Sequence, residues 1–250
     1  MTSTRLMTWA KIMESSIDIT TESKLIACQV EVDLLLSRLS KADLQSVDCD
    51  ILAIKFDEDI EKSKEFLKNI LPKINEPLML CGCGKDDVDR ILLPELVKIA
   101  DRECIISYVT EKTYKDIIPS VINGGHYAIL KTPIDINLAK ELNILCADLG
   151  LDKSKIIMNT DIGGLGYGYE YGYSIMEKII QEREKGDEYL NMPLICEAGI
   201  ESLKTKEAKL GCDKRARMIE LTSTSGALAA GANIVVIKYP QNTHILRGLL

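Results

Sequence analysis

Eight short, apolar, β-branched runs recur along the chain from residue 24 onward, and each is followed by a longer amphipathic stretch. The runs are 24–30 (KLIACQV), 51–56 (ILAIKF), 77–81 (PLMLC), 104–109 (CIISYV), 127–131 (YAILK), 155–159 (KIIMN), 193–197 (PLICE) and 233–238 (NIVVIK). Their apolar residues are nearly continuous, which predicts parallel strands covered on both faces. Between them the helical period takes over. In 60–71 the apolar Ile60, Phe66, Leu67, Ile70 and Leu71 share a face, and in 135–149 Ile136, Ala139, Leu142, Asn143 and Cys146 lie near one side. The stretch 216–230 is rich in Ala, Ser and Gly, which suits a helix packed closely on a sheet.

Eight such units predict an α/β fold, a (β/α)8 TIM barrel in a single domain over 24–250. Residues 1–23 then form an N-terminal extension, either a plug across the barrel bottom or an arm to a partner. The competing fold is a doubly wound open sheet. That fold usually carries a Gly-rich turn after its first strand, where this chain has Gln29-Val30-Glu31-Val32-Asp33.

A composition of 46% hydrophobic and 28% charged residues is that of a globular protein. No apolar run approaches the roughly 18 residues that cross a bilayer, and the N-terminus lacks the compact apolar run of a signal peptide. The expected location is cytoplasmic. A net charge of −7 argues against a nucleic-acid or membrane surface. The basic residues Lys214, Arg215 and Arg217 sit among acidic neighbours and suit a solvated helix start.

Of the eight cysteines, Cys28, Cys49, Cys104, Cys146 and Cys196 lie in or beside apolar segments and are expected to be reduced and buried. Only Cys81 and Cys83 are close, as C-G-C, and no CxxC occurs, so an iron–sulfur or zinc site on this chain alone is not expected.

In a barrel, chemistry belongs at the C-terminal ends of the strands. The residues falling there are Glu31, Asp57, the 81–84 turn, Thr110, Thr132, Asp135, Asn159, Asp161, the 163–168 loop, Glu197, Gly199 and Tyr239. The two histidines are elsewhere: His126 precedes a strand, at the structural end, and His244 is in the terminal helix. A His general base is therefore not expected. The turn 82–87 (GCGKDD) has two readings. It is an anion site with free N–H groups, or a turn shaped by glycine and followed by a helix that Asp86 or Asp87 caps.

Within 163–173 there are five glycines (163, 164, 166, 168, 172) and four tyrosines (167, 169, 171, 173). On a barrel rim they make a flat surface of aromatic faces and hydroxyls, which suits a planar macrocycle or a protein interface. The alternative is a tyrosine cluster that packs the following helix.

Four blocks resemble a known family: 77–85 (PLMLCGCGK), 132–145 (TPIDINLAKELNIL), 163–178 (GGLGYGYEYGYSIMEK) and 192–208 (MPLICEAGIESLKTKEA). With the closing 231–240 strand they resemble the small (delta) subunit of the corrinoid iron–sulfur protein of the acetyl-CoA decarbonylase/synthase complex. Residues 1–75 match this pattern only loosely.

The resemblance implies a (β/α)8 barrel paired with a large (gamma) subunit that carries the [4Fe-4S] cluster and most of the corrinoid-binding domain. A cobalamin-type corrinoid then lies at the interface and shuttles a methyl group between methyl-tetrahydropterin and acetyl-CoA synthase. Acetyl-CoA synthase and the methyl-tetrahydropterin methyltransferase are implied as transient partners. On this reading the barrel has no catalytic residue and no metal of its own. The candidate cofactor contacts are Cys81, Cys83, Asp135, Asn137, Asn159, Asp161, Gly163, Gly164, Gly166, Tyr167 and Tyr169. Two other readings stand beside it. One is a free-standing pterin-dependent methyltransferase barrel using Asp57, Asn159 and Asp161, and the other is a structural scaffold of the same complex.

Overall fold

A computed structural model describes residues 19–32 and 49–250. Among the described residues there are eight strands: β1 (Leu25–Glu31), β2 (Ile51–Lys55), β3 (Leu78–Cys81), β4 (Cys104–Val109), β5 (Tyr127–Lys131), β6 (Ile156–Asn159), β7 (Ile195–Cys196) and β8 (Ile234–Ile237). All pairings are parallel, in the order β6-β5-β4-β3-β2-β1-β8-β7. A parallel bridge from Met158 to Leu194 joins β6 to the approach of β7 and nearly closes the ring. The TIM barrel expected from the strand count is the architecture found, and the open sheet is not.

The helices follow from local chemistry. Helix α1 (Ile60–Ile70) starts where Asp59 accepts the Lys62 N–H, and it buries Phe66, Leu67 and Ile70 on the outer wall. Next come α2 (Asp86–Val97), α3 (Tyr114–Gly124) and α4 (Ile136–Asp148). Helix α4 is capped by Asp135 and buries Ile136, Ala139, Leu142, Asn143 and Cys146, the face its spacing predicts. The remaining helices are α5 (Tyr169–Glu184), α6 (Ala198–Leu203), α7 (Lys206–Lys209), α8 (Asp213–Ala229) and α9 (Thr243–Arg247). Among the described residues no helix is long and apolar enough to cross a membrane.

Two cores result. The larger, between strands and helices, includes Leu67, Leu80, Leu92, Leu96, Ile106 and Val235. The smaller fills the barrel with Ala27, Ile51, Ala53, Met79, Ile105, Ile129, Ile157, Ile195 and Val236, and Ile19 joins it. Burying each Leu or Ile side chain is worth about 1.5–3 kcal/mol before entropy is counted. Both walls of a strand are thus apolar, which is why the runs show no alternation. Residues 1–18, on which the plug-or-arm expectation mainly falls, lie outside the described residues, as does Asp33.

Candidate functional site

Strand parity decides what faces the barrel mouth. On β5, Tyr127 and Ile129 belong to the inner core, so Lys131 at the strand's C-terminal end is the next inward position. On β3 the inward positions are Met79 and Cys81. Strand β4 breaks the rule. Its register against β5 runs Ile106↔Ala128 and then Val109↔Leu130, three steps against two, which is a β-bulge. Ile106 and Val109 pack outward, so Ser107 and Tyr108 are both left for the inner side, and Tyr108 packs on the inner core.

These groups meet at the mouth with β6 and β7. Asn159 Oδ1 accepts the Asp161 N–H at 2.9 Å, and the side-chain amide donates to Glu197 Oε2 at 3.4 Å. Lys131 Nζ is 3.3 Å from Asp161 Oδ1 and 3.9 Å from Glu197 Oε2, and stands 5.0 Å from the centre of the Tyr108 ring. Asp161 holds φ at 57°, a left-handed conformation that Asp tolerates better than most residues. Its N–H is fixed by Asn159 while its carboxylate remains half-exposed.

The electrostatics are those of a buried, under-solvated acid. Glu197 is 6% exposed, and burial raises its pKa while Lys131 pulls it down. Burial also lifts the Tyr108 hydroxyl well above its ordinary value, and the charge of Glu197 adds to the effect. The Cys81 thiol is pushed up to about 12, first by burial and then by Glu197, so it is held as a neutral thiol. Ser107 Oγ and Tyr108 Oη are buried with no hydrogen-bond partner.

Of the residues singled out from sequence, Cys81, Asn159 and Asp161 are thus brought together at the mouth. The others are used differently. Cys83 lies in the next turn, where its N–H and that of Gly84 are accepted by the two Asp89 carboxylate oxygens at 2.8 and 2.9 Å. Gly82 N–H donates to Ser107 O at 2.7 Å. The N–H groups of Gly82, Cys83 and Gly84 are thus occupied, which leaves no free glycine N–H for an anion. The glycines shape the turn as the second reading has it, but Asp89, rather than Asp86 or Asp87, ties the turn to the helix. A Cβ on Gly82 would sit 2.4 Å from the Asp89 carboxylate, which explains that glycine.

Asp135 caps α4, accepting Asn137 N–H at 2.7 Å, and Asn137 itself is exposed in the first turn. Asp57 is bound locally to Asp59 N–H and Lys62.

The glycine–tyrosine loop divides. Tyr167 and Tyr171 are 52% and 64% exposed. Tyr169 donates its hydroxyl to Ser223 O at 2.9 Å and lies across Gly226 of α8, and Tyr173 packs on the outer core. A Cβ on Gly163 would meet Tyr167 O at 2.1 Å, and one on Gly164 would meet Thr205 at 2.8 Å. Gly166 and Gly168 hold φ at 76° and 95°. The loop's own folding thus accounts for its glycines.

Lys131, Ser107 and Tyr108 are the mouth residues that sequence reasoning passed over. Parity and position at the end of a buried strand were a usable signal for Lys131. For the other two there was none, because the bulge reverses the parity. Among the described residues no cluster of three or more His, Cys, Asp or Glu is arranged to hold a metal ion.

Known proteins bear on this site from two sides. The fold resembles dihydropteroate synthases: those from Xanthomonas albilineans and Vibrio fischeri each superpose with a TM-score of 0.67, covering 92% of both chains at 12% and 14% identity. At such identity the likeness concerns the barrel alone.

In sequence, the chain is 29% identical over 140 residues to the acetyl-CoA decarbonylase/synthase complex subunit delta of Methanopyrus kandleri, and 28% to that of Methanocaldococcus jannaschii. Each alignment covers 55% of this chain and 35% of the relative, so the match spans about a third of those proteins' length. The family described as CO dehydrogenase/acetyl-CoA synthase delta subunit matches residues 9–248, which takes in most of the 1–75 stretch that the sequence blocks left out. The chain therefore belongs to the CO dehydrogenase/acetyl-CoA synthase delta subunit family.

Proposed function

We propose that the chain is a non-catalytic barrel subunit that, with a large corrinoid iron–sulfur subunit, encloses a cobalamin-type corrinoid over its mouth. The observation that carries this reading is the family match across residues 9–248, which takes in every strand of the barrel. The residues present fit such a group. The mouth offers orphaned hydroxyls on Ser107 and Tyr108, and Tyr167 and Tyr171 are exposed on the β6–α5 loop.

A bound corrinoid supplies a cobalt centre that takes up and releases a methyl group. This chain's part is to keep water from that face and to orient the ring. Tyr108 and the stem of Lys131 supply apolar cover, and Lys131, Asn159 and Asp161 supply polar contacts. The iron–sulfur cluster belongs to the large subunit. Methyl-tetrahydropterin methyltransferase and acetyl-CoA synthase are transient partners, and the work is done in the cytoplasm.

Co-expression with a large corrinoid subunit tests the reading. The expected result is a stable pair in which this chain shifts the corrinoid absorption spectrum. A chain that neither binds that subunit nor alters the spectrum sinks it.

A second reading has its own observation. Asn159, Asp161 and buried Glu197 form a polar floor at adjacent strand ends, and a dihydropteroate synthase of the same fold has been solved with 7,8-dihydropteroate. A free-standing pterin-dependent methyltransferase requires the isolated chain to bind methyl-tetrahydropterin. Calorimetry decides: binding that Asp161→Ala abolishes favours the enzyme, and absence of heat rejects it.

A further inference from the structure

The geometry points to a subsite for a neutral amide edge, a carbonyl acceptor beside an N–H donor, at the floor of the barrel mouth between Ser107, Tyr108, Lys131 and Glu197. It deepens the subunit reading by naming the chemistry the mouth accepts. It rests on that reading only for the identity of the molecule that carries the amide.

Unmet hydrogen-bonding capacity comes first. Ser107 is 0% exposed, and neither its Oγ nor the Tyr108 hydroxyl has a partner. Buried hydroxyls in folded proteins nearly always find one. The β4 bulge turns both residues to the inner side, so the strand gives up its regular register to bring two unpaired hydroxyls to one place. Glu197, beside them, has the Asn159 amide at 3.4 Å and Lys131 at 3.9 Å, and the Tyr108 hydroxyl faces it. It retains acceptor capacity.

Lys131 is the movable part. Its side chain is 27% exposed and spans from buried Glu197 to Asp161, which is 45% exposed. Swinging the ammonium off Asp161 admits a ligand and leaves the ammonium free to donate to it.

Charge then selects the class. One ammonium against two carboxylates leaves the cluster net negative, so an anion is repelled, and a cation must displace Lys131. A neutral ligand avoids both costs if it carries both hydrogen-bonding functions. Its carbonyl accepts from Lys131 and the hydroxyls, and its N–H donates to Glu197. The carboxamide arms of a corrinoid and the lactam of a pterin ring both present this edge.

Saturation-transfer NMR and thermal shift of the full chain with acetamide, with acetate as the charged isostere, test the subsite. The expected result is acetamide binding without acetate binding. Ser107→Ala and Tyr108→Phe remove hydroxyls that make no close hydrogen bond in the free chain, so both variants are expected to fold, which their thermal unfolding checks, while acetamide binding weakens about tenfold. Equal binding of acetate, no binding of acetamide, or unchanged binding in both variants overturns the subsite.

Competition identifies the source. Displacement of acetamide by dicyanocobinamide supports a corrinoid arm, and displacement by methyl-tetrahydropterin supports a pterin ring. Loss of large-subunit pairing with acetamide binding intact removes the subunit reading and leaves the subsite standing.

Discussion

The polar groups on the floor of the mouth and those at the bottom of the barrel are treated differently, although Glu220 at the top rim is well bonded. At the bottom every such group named here is satisfied. Asn233 Oδ1 accepts Leu194 N–H at 2.9 Å, and its amide donates to Thr21 O at 2.6 Å and Ser23 O at 3.1 Å. His126 Nδ1 accepts Cys104 N–H at 3.1 Å, and Asp50 accepts Ile26 N–H while pairing with Arg247. At the mouth, the Ser107 and Tyr108 hydroxyls make no close hydrogen bond, and the Asn159 amide and Lys131 stand 3.4 and 3.9 Å from Glu197. A folded chain keeps such debts where a ligand or partner settles them, and the bottom end is where stability resides.

The largest effect that separates the ends is expected at Asn233. Replacing it by Ala leaves the Leu194 N–H and two carbonyls without their bonds, and the loss should reach about 3 kcal/mol or more by urea unfolding. A change under about 1 kcal/mol would break the contrast.

Acid should then pull the two ends apart. Burial lowers the His126 pKa, so the unfolded chain binds its proton more readily, and stability at the bottom falls as pH drops below about 6.5. Near the mouth, burial pushes Glu220 up to about 6, despite donors from Lys238 N–H, Tyr239 N–H and the Asn242 amide. Its folded form takes a proton before the unfolded form does. Stability therefore rises as pH falls from above 6 toward about 4.3, by about 2 kcal/mol for that group. Hydrogen exchange at pH 7 and pH 5 should show protection lost around β4 and β5 at the bottom and gained around β8 at the top. The same direction at both ends would count against this.

Glu197→Gln is expected to stabilise the free chain by about 1 kcal/mol at neutral pH, since it removes a charge that burial penalises and that the ammonium of Lys131, 3.9 Å away, offsets only in part. A clear loss of stability would mean that the mouth is as settled as the bottom.

The smallest effects concern the glycine–tyrosine loop. Tyr169→Phe should cost about 1 kcal/mol for the bond to Ser223, and Tyr167→Phe or Tyr171→Phe should stay within about 0.5 kcal/mol. If the barrel is only a scaffold, replacing Tyr167, Tyr169 and Tyr171 together by Phe leaves corrinoid chemistry unchanged in the reconstituted pair. A changed spectrum would place the loop against the ring.

Much of the fold was legible in advance. The runs 104–109 and 127–131 have the bounds of β4 and β5, and the buried face of α4 is the one its spacing marks. The 193–197 run, however, narrows to the two-residue β7, because Pro193 has no N–H to give the ladder and the Leu194 N–H goes to the Asn233 side chain. Around the site, Asn159, Asp161 and Cys81 were found by their place at strand ends. Tyr169 sat in a loop of the right composition, but its hydroxyl is spent on α8.

By itself, the sequence determined the barrel and which end of it carries the candidate site. Apolar runs buried on both faces, eight times over, leave little else to form, and a parallel strand has only one C-terminal end. It also determined the family, through blocks in a fixed order. Only the tertiary structure decided which polar groups meet. One extra residue in β4 turns Ser107 and Tyr108 inward together, and only the closing of β5 on β6 and the approach of β7 puts Lys131 between Asp161 and Glu197. Bulge position and ring closure depend on contacts between distant segments, and no local pattern encodes them.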